Sequence, residues 1–564
     1  MKKGHIFSVA IIGIFFTNLL LALPEINPYL AQSYNNQTHW NCAATDSTKL
    51  SGPKGWYEVT PDSWDIIPND TFGITIVNDT VADIPIYWFW SGFSLIKFKV
   101  DGAKLAEIDR VEIPVELSDY TFVSPKDRII QANNVESYLK AGDEKGLLEY
   151  MKRQPNRLLK SVEDQGGYGA VYTIMTKDDA IIAASHNKIY KFIQLNPKDP
   201  MSKMKIDSQV AIPEKWLNAK KMKAFPIPGG EGRDGVLGMN MTYNGYIVLN
   251  TMSGNIITLS SDTLELKDKY SVKGKKELFF NSISTGPEAN NGAVYTASTE
   301  KMYRFVVDAK GKIHADEKSG AWQAVYDVGE ITGGVKFASG TGATPTLMGF
   351  GPDDDKLVVF TDGASKMRLV AMWRDEIPAD WRQKPGTLSK RIADQRQIDF
   401  GSEIDQIQSE QSVAVYNNYA FVVNNIIIDE KPYLSDYRYY ISMINGATRP
   451  GPRGVAMLEW SSITHSWRQK WQRTDISSVS TVPMISGASR MAYIDGYMAP
   501  NWDDRYQIGL NIDSGETKLL IRTGTNPIFN GMFATVKVSA DGRLLYPMAF
   551  GVVLLDTAKM KKLK

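Results

Sequence analysis

The sequence predicts an all-β fold assembled from repeated small sheets, and three observations carry that prediction. Beyond about residue 165 the chain is almost wholly short runs of Val, Ile, Tyr, Phe and Thr, side chains that suit a pleated, half-buried surface. The runs are separated by Asn-Gly, Asp-Gly and Ser-Gly pairs, which tolerate the positive φ of tight hairpin turns. One plan also recurs roughly every 50–70 residues. A Gly-rich or polar lead-in opens a small-residue strand, followed by a turn, a second hydrophobic strand and a third that ends in an aromatic. Sheets repeated in this way protect their edges by radial packing, so the expected architecture is a β-propeller of eight blades, with seven the alternative.

The elements follow in chain order. Lys2 and Lys3 precede an apolar run from Ile6 to Leu23, broken only by Gly13, Thr17 and Asn18. A basic start and an apolar core make a secretory signal, with cleavage near Ala22 or after Tyr29-Leu30-Ala31, so residues 1–31 are read as a leader. The run exceeds the roughly 7–15 residues of a signal core and reaches the roughly 17–25 that span a bilayer. A membrane tether through residues 6–23 is therefore the competing reading. Either way the expected location is periplasmic or extracellular. His39-Trp40-Asn41 ahead of Cys42 is not the small-residue sequence of a lipoprotein site. In the N-terminal segment 32–65, a strand near Trp56–Thr60 is expected to complete the last sheet and close the ring.

Residues 66–564 carry the propeller. The first unit spans 72–114, and the polar, Leu-spaced, β-poor stretch 124–164 is expected to be a helical insertion. Further units occupy 166–192, 234–262, 286–313 and 342–372. Another runs over 409–425 and resumes at 454–460; the last two begin at Ser480 and Gly531. The insertion 429–453 is rich in Tyr, Gly and Pro. It is expected to lie as a lid over one mouth of the channel, where function-bearing loops collect.

Composition excludes several classes. With 64 Lys+Arg against 63 Asp+Glu, the net charge of +1 is not the basic footprint of a nucleic-acid binder. A hydrophobic share of 43% is that of an ordinary globular chain with a core to bury. The single cysteine, Cys42, rules out an intrachain disulfide and a Cys-based metal cluster. Beyond the leader only His39, His186, His314 and His465 remain, and the last three read as solvated turn residues. No GxSxG elbow, HExxH helix or P-loop is present.

The innermost strand of each propeller blade lines the channel, so residues leading into those strands converge although distant in sequence. Here the lead-ins offer Asn240, Glu288 with Asn290 and Asn291, Thr344 and Thr346, Glu410 with Gln411 and Ser412, Thr481, and Asn530. Glu and Asn oxygens suit a hard cation, and a pocketed Glu suits a general base. The expectation is that Glu288, Asn240, Asn291 and Glu410 hold a divalent cation, calcium the first candidate, with Glu288 and Glu410 activating water. The competing reading makes these residues turn formers and sheet-end caps. Tyr437, Tyr439 and Tyr440 of the lid, with Thr344 and Thr346, are expected to bind a small organic substrate. Asp353-Asp354-Asp355, Asp503-Asp504 and Asp513-Ser514-Gly515 lack the alternating ligands of a calcium loop and read as hairpin tips.

The lead-in strand, best seen in GATPTLMGFGPDDDKLVVFTDG at 342–363, resembles those of the quinoprotein-like and strictosidine-synthase-like β-propellers over about residues 66–560. Quinone-dependent dehydrogenases of the first superfamily use a vicinal cysteine pair and tryptophan-docking repeats. This chain has one Cys, and its 13 Trp are not spaced once per unit, so PQQ is not expected. The Glu and Asn lead-ins are similar to the gluconolactonase and paraoxonase type, where such side chains from several blades hold one divalent metal. That resemblance implies an exported enzyme hydrolysing a lactone or ester, the metal serving as Lewis acid. The alternative is a non-catalytic binding or scaffold propeller at the cell envelope, which a channel plugged by packed side chains would favour. A quinone-dependent dehydrogenase is the further alternative.

Overall fold

The computed structural model describes residues 22–563 apart from 71, 116, 161–170, 225–232, 331–335, 337, 428–436 and 480. Residues 1–21 of the expected leader, and the first part of the lid-like insertion, lie outside the described residues. Among the described residues no helix is long and apolar enough to cross a membrane.

Eight sheets, most of them four-stranded antiparallel meanders, follow one another along the described chain. The first comprises Thr75–Val81, Ile84–Trp90, Ser94–Asp101 and Lys104–Glu112. The second to sixth begin with Ile174–Met175, Val236–Met241, Ser284–Gly286, Thr346–Met348 and Ala414–Tyr416. The seventh is built on Met484–Ser486, Met491–Met498, Asn501–Asn511 and Thr517–Gly524. The eighth holds Leu544–Met548 and Gly551–Leu555.

Both faces of the inner strands are buried, so those strands are apolar on both sides, whereas outer strands such as Met204–Ala211 alternate exposed residues with buried or half-buried ones. In Ile84–Trp90 the period of two sends Tyr87 and Phe89 into a core shared with the eighth sheet. Trp88 and Trp90 point the other way, into a core shared with the second. Equivalent shared cores join the second sheet to the third, the third to the fourth, and so on to the eighth. Every sheet is thus packed between its neighbours, the arrangement of a β-propeller.

Closure differs in one respect from the sequence expectation. Trp64–Pro68 completes the eighth sheet, pairing Trp64 with Leu555 and Pro68 with Gly551. Gly55–Glu58, where the closing strand was expected, runs parallel to Thr517–Gly524 on the outer side of the seventh, with Lys561–Lys562 paired beyond it. Burial explains the choice: Ile67 is 4% exposed between the eighth and first sheets, whereas Trp56 stays 45% exposed.

Two helices occupy the 124–164 interval, α1 (Pro125–Ala141) and α2 (Glu144–Lys152). Ser124 Oγ caps α1 by accepting from Asp127 N, and Gly142 ends it in the left-handed region. A third, α3 (Arg438–Ile444), lies in the Tyr-rich insertion and is buried throughout. All three pack into the core of the seventh and eighth sheets.

Candidate functional site

What gathers the eight sheets is a stretch of the chain's own N-terminal segment. Asn78 N donates to Asn35 O in the first sheet and Met175 N to Asn36 O in the second. Asn240 Nδ2 of the third sheet and Thr285 N of the fourth both donate to Cys42 O, at 3.1 and 2.8 Å. Leu347 N, Val415 N and Ile485 N, of the fifth to seventh sheets, donate to the carbonyls of Ala43, Thr45 and Asp46. Ser47–Thr48 then pairs in parallel with the seventh sheet. Trp40 Nε1 reaches Val536 O, just ahead of the eighth sheet, at 3.2 Å.

Residues 35–48 are buried except for half-buried Asn41. Trp40, Ala44 and Asp46 adopt positive φ of 70°, 48–52° being the values of the other two. These bends turn successive carbonyls toward different sheets, and the bonds they make hold a backbone conformation that is otherwise costly.

The side chains of this axial segment are fastened as firmly. Asp46 carboxylate oxygens lie 2.8 and 2.9 Å from His39 Nδ1, and His39 Nε2 lies 3.2 Å from Thr344 Oγ1. Hydroxyl, imidazole and carboxylate stand in the order of a nucleophilic relay. The Thr344 hydroxyl, however, donates to Asn281 Oδ1 at 2.7 Å, and all three side chains of the relay are buried. The network ties the segment to the fifth sheet. Lys537 Nζ, fully buried, donates to Asn35 Oδ1 and Thr38 O at 2.7 and 2.8 Å and lies 4.4 Å from the Trp40 ring centroid. Burial pushes its pKa well below the usual lysine value, partly opposed by the Asp46 charge. Burial likewise raises the Cys42 thiol to about 11.

Of the residues expected to hold a cation, Glu288, Asn240 and Glu410 are buried among other partners and Asn291 is exposed. Glu288 Oε1 is paired with Arg374 Nε at 3.0 Å, both side chains under 5% exposed, and its Oε2 accepts from Tyr295 OH at 3.1 Å. Asn240 spends its amide on Cys42 O and Ile283 O. Asn290 and Asn291 are exposed turn residues in the left-handed region. Glu410 lies against Gly342, where an added Cβ would come within 2.5 Å of its carboxylate oxygens. Its charge opposes the burial that lowers the Lys336 pKa. Among the described residues no three His, Cys, Asp or Glu side chains gather as metal ligands.

The expected substrate contacts are also structural. Thr346 Oγ1 donates to Val413 O at 2.8 Å, joining the inner strands of the fifth and sixth sheets. Tyr439 OH and Tyr440 OH donate to the backbone carbonyls of Ala549 and Glu144, both at 2.8 Å. Tyr437, half-buried, precedes α3 and packs on the same core. The Asp-rich fragments behave as turn formers: Asp354 Oδ2 accepts from Phe350 N and Gly351 N, and Asp513 pairs with Arg490. Alongside the axial segment a cavity of about 200 Å³ remains, walled by Leu23, Pro24, Ile26, Tyr34 and Leu50 and reaching in to Trp40, Asn41 and Cys42.

The axial role of residues 35–48 escaped the sequence reading. Its signal is the stretch AQSYNNQTHWNCAATDSTKLSG, short of aliphatics and dense in the amide and hydroxyl side chains that satisfy backbone groups.

No family model matches the chain. An uncharacterized protein of Archaeoglobus fulgidus is 30% identical over 339 residues, 59% of this chain and 63% of that one. The chain thus spans a little under two thirds of that relative's length. Among solved structures, a quinohemoprotein alcohol dehydrogenase from Pseudomonas putida HK5 is 9% identical with a TM-score of 0.47, over 96% of this chain and 82% of that one. BamB from Moraxella catarrhalis is 15% identical with a TM-score of 0.38, over 71% and 87% respectively. Likeness of this size assigns no activity to this chain.

Proposed function

We propose that this chain is a non-catalytic binding or scaffold propeller of the cell envelope, its eight sheets being eight blades and its axis sealed by its own residues 35–48. The observation that supports this reading is the bonding of that segment to the first strand of each of the first seven sheets and, for the eighth, to Val536, eight residues ahead of Leu544. A small molecule would have to displace those bonds to reach the channel walls. The same filling leaves a planar quinone no place among the inner strands. Glu288, already neutralised by Arg374, is not free to serve a cation or activate water. The envelope location rests on the basic start and apolar run of residues 2–23. Binding then falls to the rim and outer faces of the blades, as it does where a propeller's channel carries no chemistry.

Cys42, the only cysteine, is 3% exposed on the axis at the inner wall of the cavity beside it, and its reactivity reads the seal there. The native chain, treated with a small organomercurial, is expected to react no faster than it unfolds, whereas the denatured chain reacts at once. Uptake by the native protein at the rate of an open thiol would show that small molecules reach the axis. That outcome would return the channel-enzyme reading.

A further inference from the structure

Between the seventh and eighth sheets, beneath α3, lies a group of polar atoms with nothing to bond to. Asp495 comes from the second strand of the seventh sheet, Thr481 from the lead-in to that sheet, and Tyr546 from Leu544–Met548 of the eighth. They meet around Gly531. A Cβ placed there would lie 2.9 Å from Thr481 Oγ1, 3.0 Å from Tyr546 Cε2 and 3.5 Å from Asp495 Cγ. Asn530 adjoins them and donates from Nδ2 to Ser442 O of α3 at 3.1 Å.

Only one oxygen of the Asp495 carboxylate is satisfied, Oδ2, by Arg505 Nη1 at 2.7 Å and Gly531 N at 2.9 Å. Asp495 Oδ1, Thr481 Oγ1, Tyr546 OH, Asn530 Oδ1 and Ser442 Oγ are buried with no partner in the protein. Their residues are 0–1% exposed. One such group can be tolerated at a cost in stability, and here three surround Gly531, with two more on the adjoining Asn530 and Ser442. Buried polar space of this kind is where proteins hold guests that make two to four hydrogen bonds.

The chemistry of the orphaned atoms defines the guest. Asp495 is already charge-matched by Arg505, so a cation would sit beside a guanidinium, and an anion beside a carboxylate. A neutral guest has neither penalty. Paired with Arg505, the Asp495 carboxylate offers Oδ1 as an acceptor, and Asn530 Oδ1, whose amide orientation is set by the bond to Ser442 O, accepts as well. The guest must therefore donate. The three hydroxyls donate or accept, so a guest that does both is bound best. We propose that this pocket is a binding site for small neutral hydroxyl-bearing guests, either ordered water or a small polyol. The proposal stands independently of the scaffold reading.

Tyr546→Phe and Thr481→Val each delete one orphaned hydroxyl with little change of shape. If a guest bonds there, each substitution strands it and lowers the melting temperature of the full chain, by about 1 °C or more for a chain of this size. If the hydroxyls are empty, each substitution removes an unsatisfied group, and the melting temperature holds or rises. A crystal structure of the full chain, grown and cooled without polyol, is expected to show density within hydrogen-bond reach of Asp495 Oδ1 and Tyr546 OH. Water-sized peaks, with no saturable response to erythritol or glucose, identify water. A saturable rise in melting temperature that Tyr546→Phe abolishes identifies a polyol. An unchanged or raised melting temperature in both variants, or an empty pocket in the crystal, overturns the proposal.

Discussion

At Glu288 a carboxylate of the type that binds cations is spent on a guanidinium. Its pair with Arg374 is buried on both sides, so removing the charge strands a desolvated arginine rather than emptying a ligand sphere. Breaking such a pair costs about 3–5 kcal/mol. Glu288→Gln is expected to lose a substantial part of that in denaturant unfolding, and a cation-binding residue would instead show its loss in metal content. Asp179 makes a different prediction. It sits at a hairpin tip with φ of 58°, and burial, followed by the neighbouring Asp79 carboxyl, raises its pKa to about 7. Between about pH 4 and 7 the folded protein keeps a proton that the unfolded chain has released. Stability therefore falls as pH rises through that window and levels off above it. Melting temperatures from pH 4 to 8 should show this decline, and Asp179→Asn should flatten it.

The two insertions hold each other in place. Glu144, the first residue of α2, accepts from Arg449 Nε and Thr448 Oγ1 at 2.7 Å each, just beyond α3. Its backbone carbonyl takes the Tyr440 hydroxyl. Glu144→Ala is expected to speed amide exchange over 438–449 by about tenfold, the value of roughly 1.4 kcal/mol in local opening. Unchanged exchange there would mean that the core contacts of α3 alone hold it. At this scale the sequence was readable where periodicity is long. The Leu spacing of 124–164 marks helices, and the strand pattern of 72–112 marks the first sheet. It was not readable where two short runs compete. Trp56–Thr60 was expected as the closing strand, and what places Trp64–Pro68 there instead is its pairing with Gly551–Leu555, more than 450 residues away along the chain, with Ile67 buried between the eighth and first sheets. The tyrosines of 437–440 suit a lid facing a ligand or a helix facing a core equally well.

For the molecule as a whole, repetition made the architecture legible, because each unit restates the same strand and turn chemistry. The lead-in residues part company along the chain. Asn240 and Thr344 both reach the axial segment, and Thr481 and Asn530 share the pocket around Gly531. What occupies the axis was hidden, because residues 35–48 have no period and their partners are scattered over the whole chain. The bond from Trp40 to Val536 spans 496 positions. At about 5–20 residues per second of synthesis, the last sheet emerges roughly 25–100 s after the segment it will close upon. A stretch of Val and Ile left exposed for that long would invite aggregation. One made of Asn, Gln, Ser and Thr remains soluble in water until every sheet has arrived, so the composition that lets it bond to eight partners also lets it wait for them.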